Sequence, residues 1–224
     1  MIAAGNLSEH LANPRGRGLL PDGAVTGAAG GAACGDLVRV SLQVEPDGRI
    51  LAAGFDASGC GAIMAAGSAV VELVTDLAVL DAARIGADEI AAELGGLIPG
   101  KRHAAELAAD ALHRALGGVA RDRLRLAPCA SRTLVALSGG VDSAAAALLL
   151  VREGQDVVAV TLELWSDAEN DGELSCCSAH AVRLARAVAH GLGVPHFSID
   201  LRAEFRAGVV DAWLSEHAAG LTPN

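Results

Sequence analysis

Hydrophobic and polar residues alternate along 36–44 (Asp-Leu-Val-Arg-Val-Ser-Leu-Gln-Val) and again along 49–57, with Glu45-Pro46-Asp47-Gly48 between them. Period-two alternation on both sides of a Pro/Asp/Gly segment predicts an antiparallel hairpin. From Gly61 the apolar spacing becomes helical and predicts helices over about 61–75, 87–94 and 101–117. Gly117-Gly118, an arginine-rich patch over 121–125 and Ala127-Pro128-Cys129-Ala130-Ser131 then interrupt the pattern as a linker. Beyond it the periods read strand, helix, strand, helix: 133–137, 142–152, 156–162, 179–191, 196–200 and 203–217. That alternation predicts a parallel α/β sheet. The expected fold is an α+β domain over 1–122, an antiparallel hairpin or sheet plus helices. A linker over 123–131 and an α/β Rossmann-like domain over 132–224 follow. The Gly/Ala stretch at 27–33 is of low complexity and holds no dinucleotide-binding glycine pattern.

Composition agrees with two domains of about 100 residues each. Hydrophobic residues make up 52% of the 224, but aromatics only 2% and Tyr none, so both cores must be built from Ala, Val and Leu. No apolar run reaches the roughly 18 residues of a membrane helix. The N-terminus carries neither a basic region nor a signal-peptide core, so a cytoplasmic protein without a membrane partner is expected. The net charge of −10 excludes a broad, sequence-blind nucleic-acid surface. Neither half is basic: 11 basic against 15 acidic side chains before residue 129, and 6 against 12 from there on. The five cysteines are odd in number, irregularly spaced and partly adjacent, which points to metal or sulfur chemistry and away from a disulfide framework.

Cys34 and Cys60 are symmetric about residue 47, the centre of the expected turn. Antiparallel pairing about that turn brings them to the same open end of the hairpin. Each is flanked by glycine, and Cys60 precedes a helix whose positive end favours a thiolate. Two readings stand: small buried core residues, or a metal pair with Asp36 beside it. The mirror placement favours the metal. The segments Asn13-Pro14-Arg15, Cys34-Gly35-Asp36, Gly59-Cys60-Gly61-Ala62-Ile63-Met64-Ala65 and Pro99-Gly100-Lys101-Arg102-His103 resemble the IscU/NifU iron–sulfur scaffold family in order and spacing, over about residues 5–120. The resemblance implies a transient [2Fe–2S] cluster, or iron, on Cys34 and Cys60 with Asp36 assisting its transfer. The family's third cysteine follows the histidine directly; here Ala104 stands in its place. His103 is then either a ligand or an ordinary first-turn residue. A set of two thiolates, a carboxylate and an imidazole suits iron or zinc.

Arg132-Thr133-Leu134-Val135-Ala136-Leu137 reads as a short strand leading through Ser138-Gly139-Gly140-Val141-Asp142-Ser143 into an Ala/Leu helix. A glycine-rich turn opening a helix presents backbone N–H groups and a positive helix end to an anion. Asp142 is placed to meet Mg²⁺ on that anion. The Gly-Lys-Ser/Thr of a Walker loop is absent. Ser-Gly-Gly-Val-Asp-Ser resembles the PP-loop of the ATP pyrophosphatases. The stretches 157–165, Cys176-Cys177-Ser178, Leu192-Gly193-Val194-Pro195-His196 and Ala219-Gly220-Leu221-Thr222-Pro223-Asn224 are similar to the MnmA-type tRNA 2-thiouridylases, over about 131–224. The resemblance implies ATP with Mg²⁺ on residues 138–143, Leu162 against adenine, and a cysteine desulfurase or other sulfur donor as partner. In that family the first catalytic cysteine lies beyond the Thr-Pro-Asn segment. None of the cysteines here is therefore assigned to catalysis, and tRNA is expected to be held by domains outside this sequence. Cys176-Cys177 is read as structural and Cys129 as incidental. Two rival readings remain: a metal-binding scaffold with a remnant PP-loop domain, and a PP-loop synthetase acting on a small carbonyl substrate.

Overall fold

The computed structural model describes residues 6–30, 35–165 and 179–222. Its first sheet is antiparallel, with the order β1 (Val25–Gly30), β2 (Leu37–Val44), β3 (Ile50–Ser58). The hairpin β2–β3 is the one that alternation predicts, and its inward residues Val38, Val40, Leu42 and Phe55 are buried. Helices α1 (Asn6–Ala12), α2 (Gly61–Val74), α3 (Val79–Ala82), α4 (Ala87–Glu93) and α5 (Arg102–Asp122) complete the domain. With almost no aromatic bulk available, close approach replaces large side chains. A Cβ on Gly67 of α2 would lie 2.3 Å from the Phe55 ring, so the ring lies on the bare helix backbone.

β1 was not expected. Its Val-Thr-Gly-Ala-Ala-Gly sequence carries little apolar signal, and small size is what the position requires: a Cβ on Gly27 would sit 2.2 Å from the Ala111 carbonyl oxygen of α5. The Asn13-Pro14-Arg15 segment anchors α1. The Arg15 N–H donates to Ser68 Oγ at 2.8 Å, and its guanidinium pairs with Glu9 and, at 2.7 Å, with Glu72. Buried His10 lies against Ser68 Oγ at 2.8 Å and near Glu72 and Glu93. Arg15 already balances these carboxylates, so the cluster reads as an ion-pair anchor.

The second sheet is parallel, β4 (Arg132–Ala136), β5 (Asp156–Glu163), β6 (His196–Asp200) in that order, with α6 (Val141–Arg152) and α7 (Ala179–Gly191) between its strands. Val135, Leu137, Val157, Ala159, Ala185 and Ala189 form its own small core. The helix expected over 203–217 is divided into α8 (Arg202–Phe205), a π-turn stretch over Arg206–Val210 and α9 (Asp211–Ala218), none of them with a buried residue. No helix among the described residues is long and apolar enough to cross a membrane.

The two sheets share α5. It continues five residues past its expected end, straight through Gly117-Gly118, because both glycines lie against strands: a Cβ on Gly117 would fall 1.8 Å from the Ser198 carbonyl oxygen of β6, and one on Gly118 2.6 Å from Val25 Cγ1 of β1. Val158 and Phe197 thereby join the core of the first domain. Polar contacts line the same junction. Asp110 of α5 pairs with Arg183 at 2.8 Å and with Arg186, the latter two of α7; the His196 N–H donates to Ala83 O, and Arg84 Nε donates to Gly193 O at 2.9 Å.

Candidate metal centre and nucleotide loop

Three element ends converge on the first site. Asp36 precedes β2, Cys60 caps the N-terminus of α2, and His103 lies in the first turn of α5. The Asp36 carboxylate accepts the Cys60 N–H at 2.8 Å and the Cys60 thiol at 3.1 Å, and lies 3.1 Å from His103 Nε2. Their ligand atoms all lie within 4.8 Å of one another. Asp36 is 3% exposed and His103 36%, so the carboxylate forms the floor and the imidazole the rim. Burial alone raises the Asp36 carboxyl. The hydrogen bonds from the Cys60 backbone and thiol and from His103 outweigh it, holding the group below its ordinary value.

One sulfur, one oxygen and one nitrogen donor within that span match the chemistry of zinc or iron. Cys34 lies outside the described residues, as do Cys176 and Cys177. Ala104 is fully buried in α5. Cys129 is exposed, 3.3 Å from Ser131 Oγ.

The second site follows β4. Residues 138–140 turn sharply, with Gly139 at φ +82°, a conformation that side chains disfavour. A Cβ there would also come within 2.9 Å of the Ala181 carbonyl oxygen at the start of α7. Ser138 and Ser143 face each other across the loop, Oγ to Oγ at 3.3 Å, and the Ser143 hydroxyl donates to Gly140 O at 3.1 Å. Val141 and Asp142 are exposed in the first turn of α6, and Leu162 near the end of β5 is partly exposed. The loop thus opens at the carboxyl ends of the strands, where open α/β sheets bind ligands.

A family model described as NifU-like N terminal domain matches residues 3–123, more than half of the chain. The chain belongs to the NifU-like N-terminal domain family. A second model, described as tRNA methyl transferase HUP domain, matches residues 131–224. The chain therefore joins a NifU-like N-terminal domain to a segment that matches a tRNA methyl transferase HUP domain. The same pairing occurs in the bifunctional protein NifU/MnmA of Rubrobacter xylanophilus, 46% identical over 96% of this chain and 46% of that protein. The tRNA-specific 2-thiouridylase MnmA of Symbiobacterium thermophilum is 42% identical over 43% of this chain and 26% of its own length. The chain thus spans less than half the length of these curated relatives. Among solved structures, a putative iron-sulfur cluster assembly scaffold protein for the SUF system from Fervidobacterium islandicum aligns with 52% of this chain and 97% of its own, at 16% identity and a TM-score of 0.42.

Within the NifU-like domain, sequence reasoning brought out Asp36, Cys60 and His103, and the fold brings these three together. It missed what places Asp36. Gly59 has φ +132°, and a Cβ on it would overlap Asp36 Oδ1 at 2.0 Å, so only glycine leaves the carboxylate its seat. The glycine beside Cys60 was a visible signal. Its steric partner, more than 20 residues earlier in the chain, was not.

Proposed function

We propose that the NifU-like domain, residues 1–122, carries an iron–sulfur cluster or its iron in transit, [2Fe–2S] in type, with zinc as the competing ion. Cys34, Asp36, Cys60 and His103 are the ligands in this reading. One observation carries it: a buried carboxylate, a thiol and an imidazole from three separate elements meet within 4.8 Å. Residues 132–224 take ATP, with Ser138, Gly139, Gly140, Val141, Asp142 and Ser143 around its phosphates, Asp142 toward Mg²⁺ and Leu162 toward adenine. In the longer protein that such a chain would serve, ATP adenylates O2 of a tRNA wobble uridine. Persulfide sulfur, supplied by a cysteine desulfurase or another donor, then attacks the C2 carbon and AMP leaves with the former O2. The acidic balance of this half leaves tRNA contact to other parts of the protein.

Anaerobic reconstitution with iron and sulfide tests the first half. The chain is expected to develop labile cluster absorbance, lost in Cys34→Ala, Cys60→Ala and Asp36→Ala. Equal iron content in the wild type and the Cys34→Ala/Cys60→Ala double variant would remove the metal assignment.

A further inference from the structure

A cavity of about 510 Å³ lies where β1 and α5 of the NifU-like domain meet the carboxyl ends of β5 and β6. Arg114 and Arg121 come from α5, Glu163 from the end of β5, Ser198 and Asp200 from β6, and Arg202 from α8. Some of these groups are committed to one another. Arg202 Nε donates to Asp200 at 2.8 Å, while Arg121 pairs with Asp122 at 2.8 Å and donates to Asp200 O at 3.1 Å.

Three are not. Ser198, 5% exposed, has a buried hydroxyl with no hydrogen-bond partner among the described residues. The Glu163 carboxyl makes no hydrogen bond or ion pair among the described residues, and burial raises it above its ordinary value although Arg114 opposes the shift. Arg114 donates to Ala28 O and has no carboxylate within ion-pair reach among the described residues. An orphaned buried hydroxyl is costly and calls for a partner. A guanidinium and a hydroxyl can both donate, so their common complement is an oxyanion.

We propose that this cavity binds a phosphate group, carried by a small nucleotide or free, with Arg114 and Ser198 as its donors. The location supports a ligand, because it lies outside the carboxyl ends of parallel strands. The size also fits, within the range of about 300–1,000 Å³ typical of small-molecule sites. The site is separate from the loop after β4 and does not depend on the reading of that loop. It also takes Arg114 from one domain and Ser198 from the other, so a bound phosphate bridges the two.

Isothermal titration of the purified chain with AMP, and separately with inorganic phosphate, tests the assignment. Arg114→Leu should weaken binding about 10- to 100-fold, as expected for the loss of a charge-assisted hydrogen bond. Ser198→Ala should weaken it several-fold, and Arg114→Lys should restore part of the loss. In a Gly140→Val background, which disables the nucleotide loop after β4, binding that depends on Arg114 and Ser198 should persist. Thermal unfolding of each variant separates lost binding from lost fold. AMP binding tighter than phosphate supports a nucleotide; equal affinities support free phosphate. Affinity unchanged in both Arg114→Leu and Ser198→Ala overturns the proposal, as does absence of binding at millimolar ligand. Loss confined to Gly140→Val overturns it too, by placing the anion in the PP-loop.

Discussion

At the residue scale, the cluster of Asp36, Cys60 and His103 depends on a position that contributes no side chain. Gly59 adopts a φ that side chains disfavour, and the space a Cβ would need is filled by the Asp36 carboxylate. Gly59→Ala therefore combines backbone strain with a clash against a buried carboxylate. Strain of this kind costs about 1–3 kcal/mol, and displacing a group that orients a metal site lowers affinity about 10- to 100-fold. Urea unfolding and zinc or iron retention should both fall in this variant. Full retention with only a stability loss would mean that Asp36 tolerates displacement and is not a ligand. Sequence alone singled out the residues that meet here, because Cys, Asp and His in a recognised order are informative whatever their surroundings. It could not show that Asp36 is the floor of the site, since burial is a property of the packed fold.

At the element scale, α5 serves both domains. Its first turn holds His103, its middle covers β1 and reaches α7 through Asp110, and its last turns lie on β6. Local propensity and packing oppose each other at Gly117. Replacing a helix-interior glycine by alanine gains up to about 1 kcal/mol in helix propensity. Here the new methyl would stand 1.8 Å from the Ser198 carbonyl oxygen, which is backbone and cannot rotate away. Overpacking of this sort costs about 1–3 kcal/mol. Gly117→Ala is thus expected to destabilise the chain, whereas Gly208→Ala, with open space around it, should be neutral or stabilising. Denaturant midpoints decide this; a more stable Gly117→Ala would show that α5 does not press on β6. The same conflict explains why the end of α5 was misread from sequence. A glycine pair looks like a break, and only the neighbouring strand shows why it is needed.

At the scale of the whole molecule, the domain junction carries buried histidines. His196 sits between sheet and helices, its Nε2 2.9 Å from Thr161 Oγ1, facing Arg186 and His190 of α7 and His113 of α5. The Thr161 hydroxyl donates to Leu137 O at 2.8 Å, so it accepts from His196 and fixes the proton on Nε2. Burial, with Arg186 and His190 adding repulsion, lowers His196 to about 3, and His113 and His190 are lowered for the same leading reason. A histidine whose value is depressed on folding binds its proton more readily when unfolded. Its stabilising effect is complete above the unfolded value of about 6.5 and is lost as pH falls toward 3. At pH 5, His196 alone should cost on the order of 2 kcal/mol. Urea unfolding at pH 7.5 and pH 5 measures this, and His196→Gln should flatten the difference. An equal pH dependence in that variant would place the titration elsewhere.

The sequence by itself determined the two-module series and the antiparallel and parallel sheets, and it singled out the residues that the fold gathers around Asp36. Periodicity, turn chemistry and short motifs are local, and local order survives in a one-dimensional reading. Only the tertiary structure decided that β1 is a strand, that α5 runs through Gly117-Gly118, and that one helix binds both sheets. These outcomes follow from contacts between residues far apart in the chain: Gly27 beneath Ala111, Gly117 beneath Ser198, Asp110 against Arg183 and Arg186. Small residues read as weak signals in sequence because their propensity is poor. In the fold they are required because a neighbouring backbone occupies the space that a side chain would need.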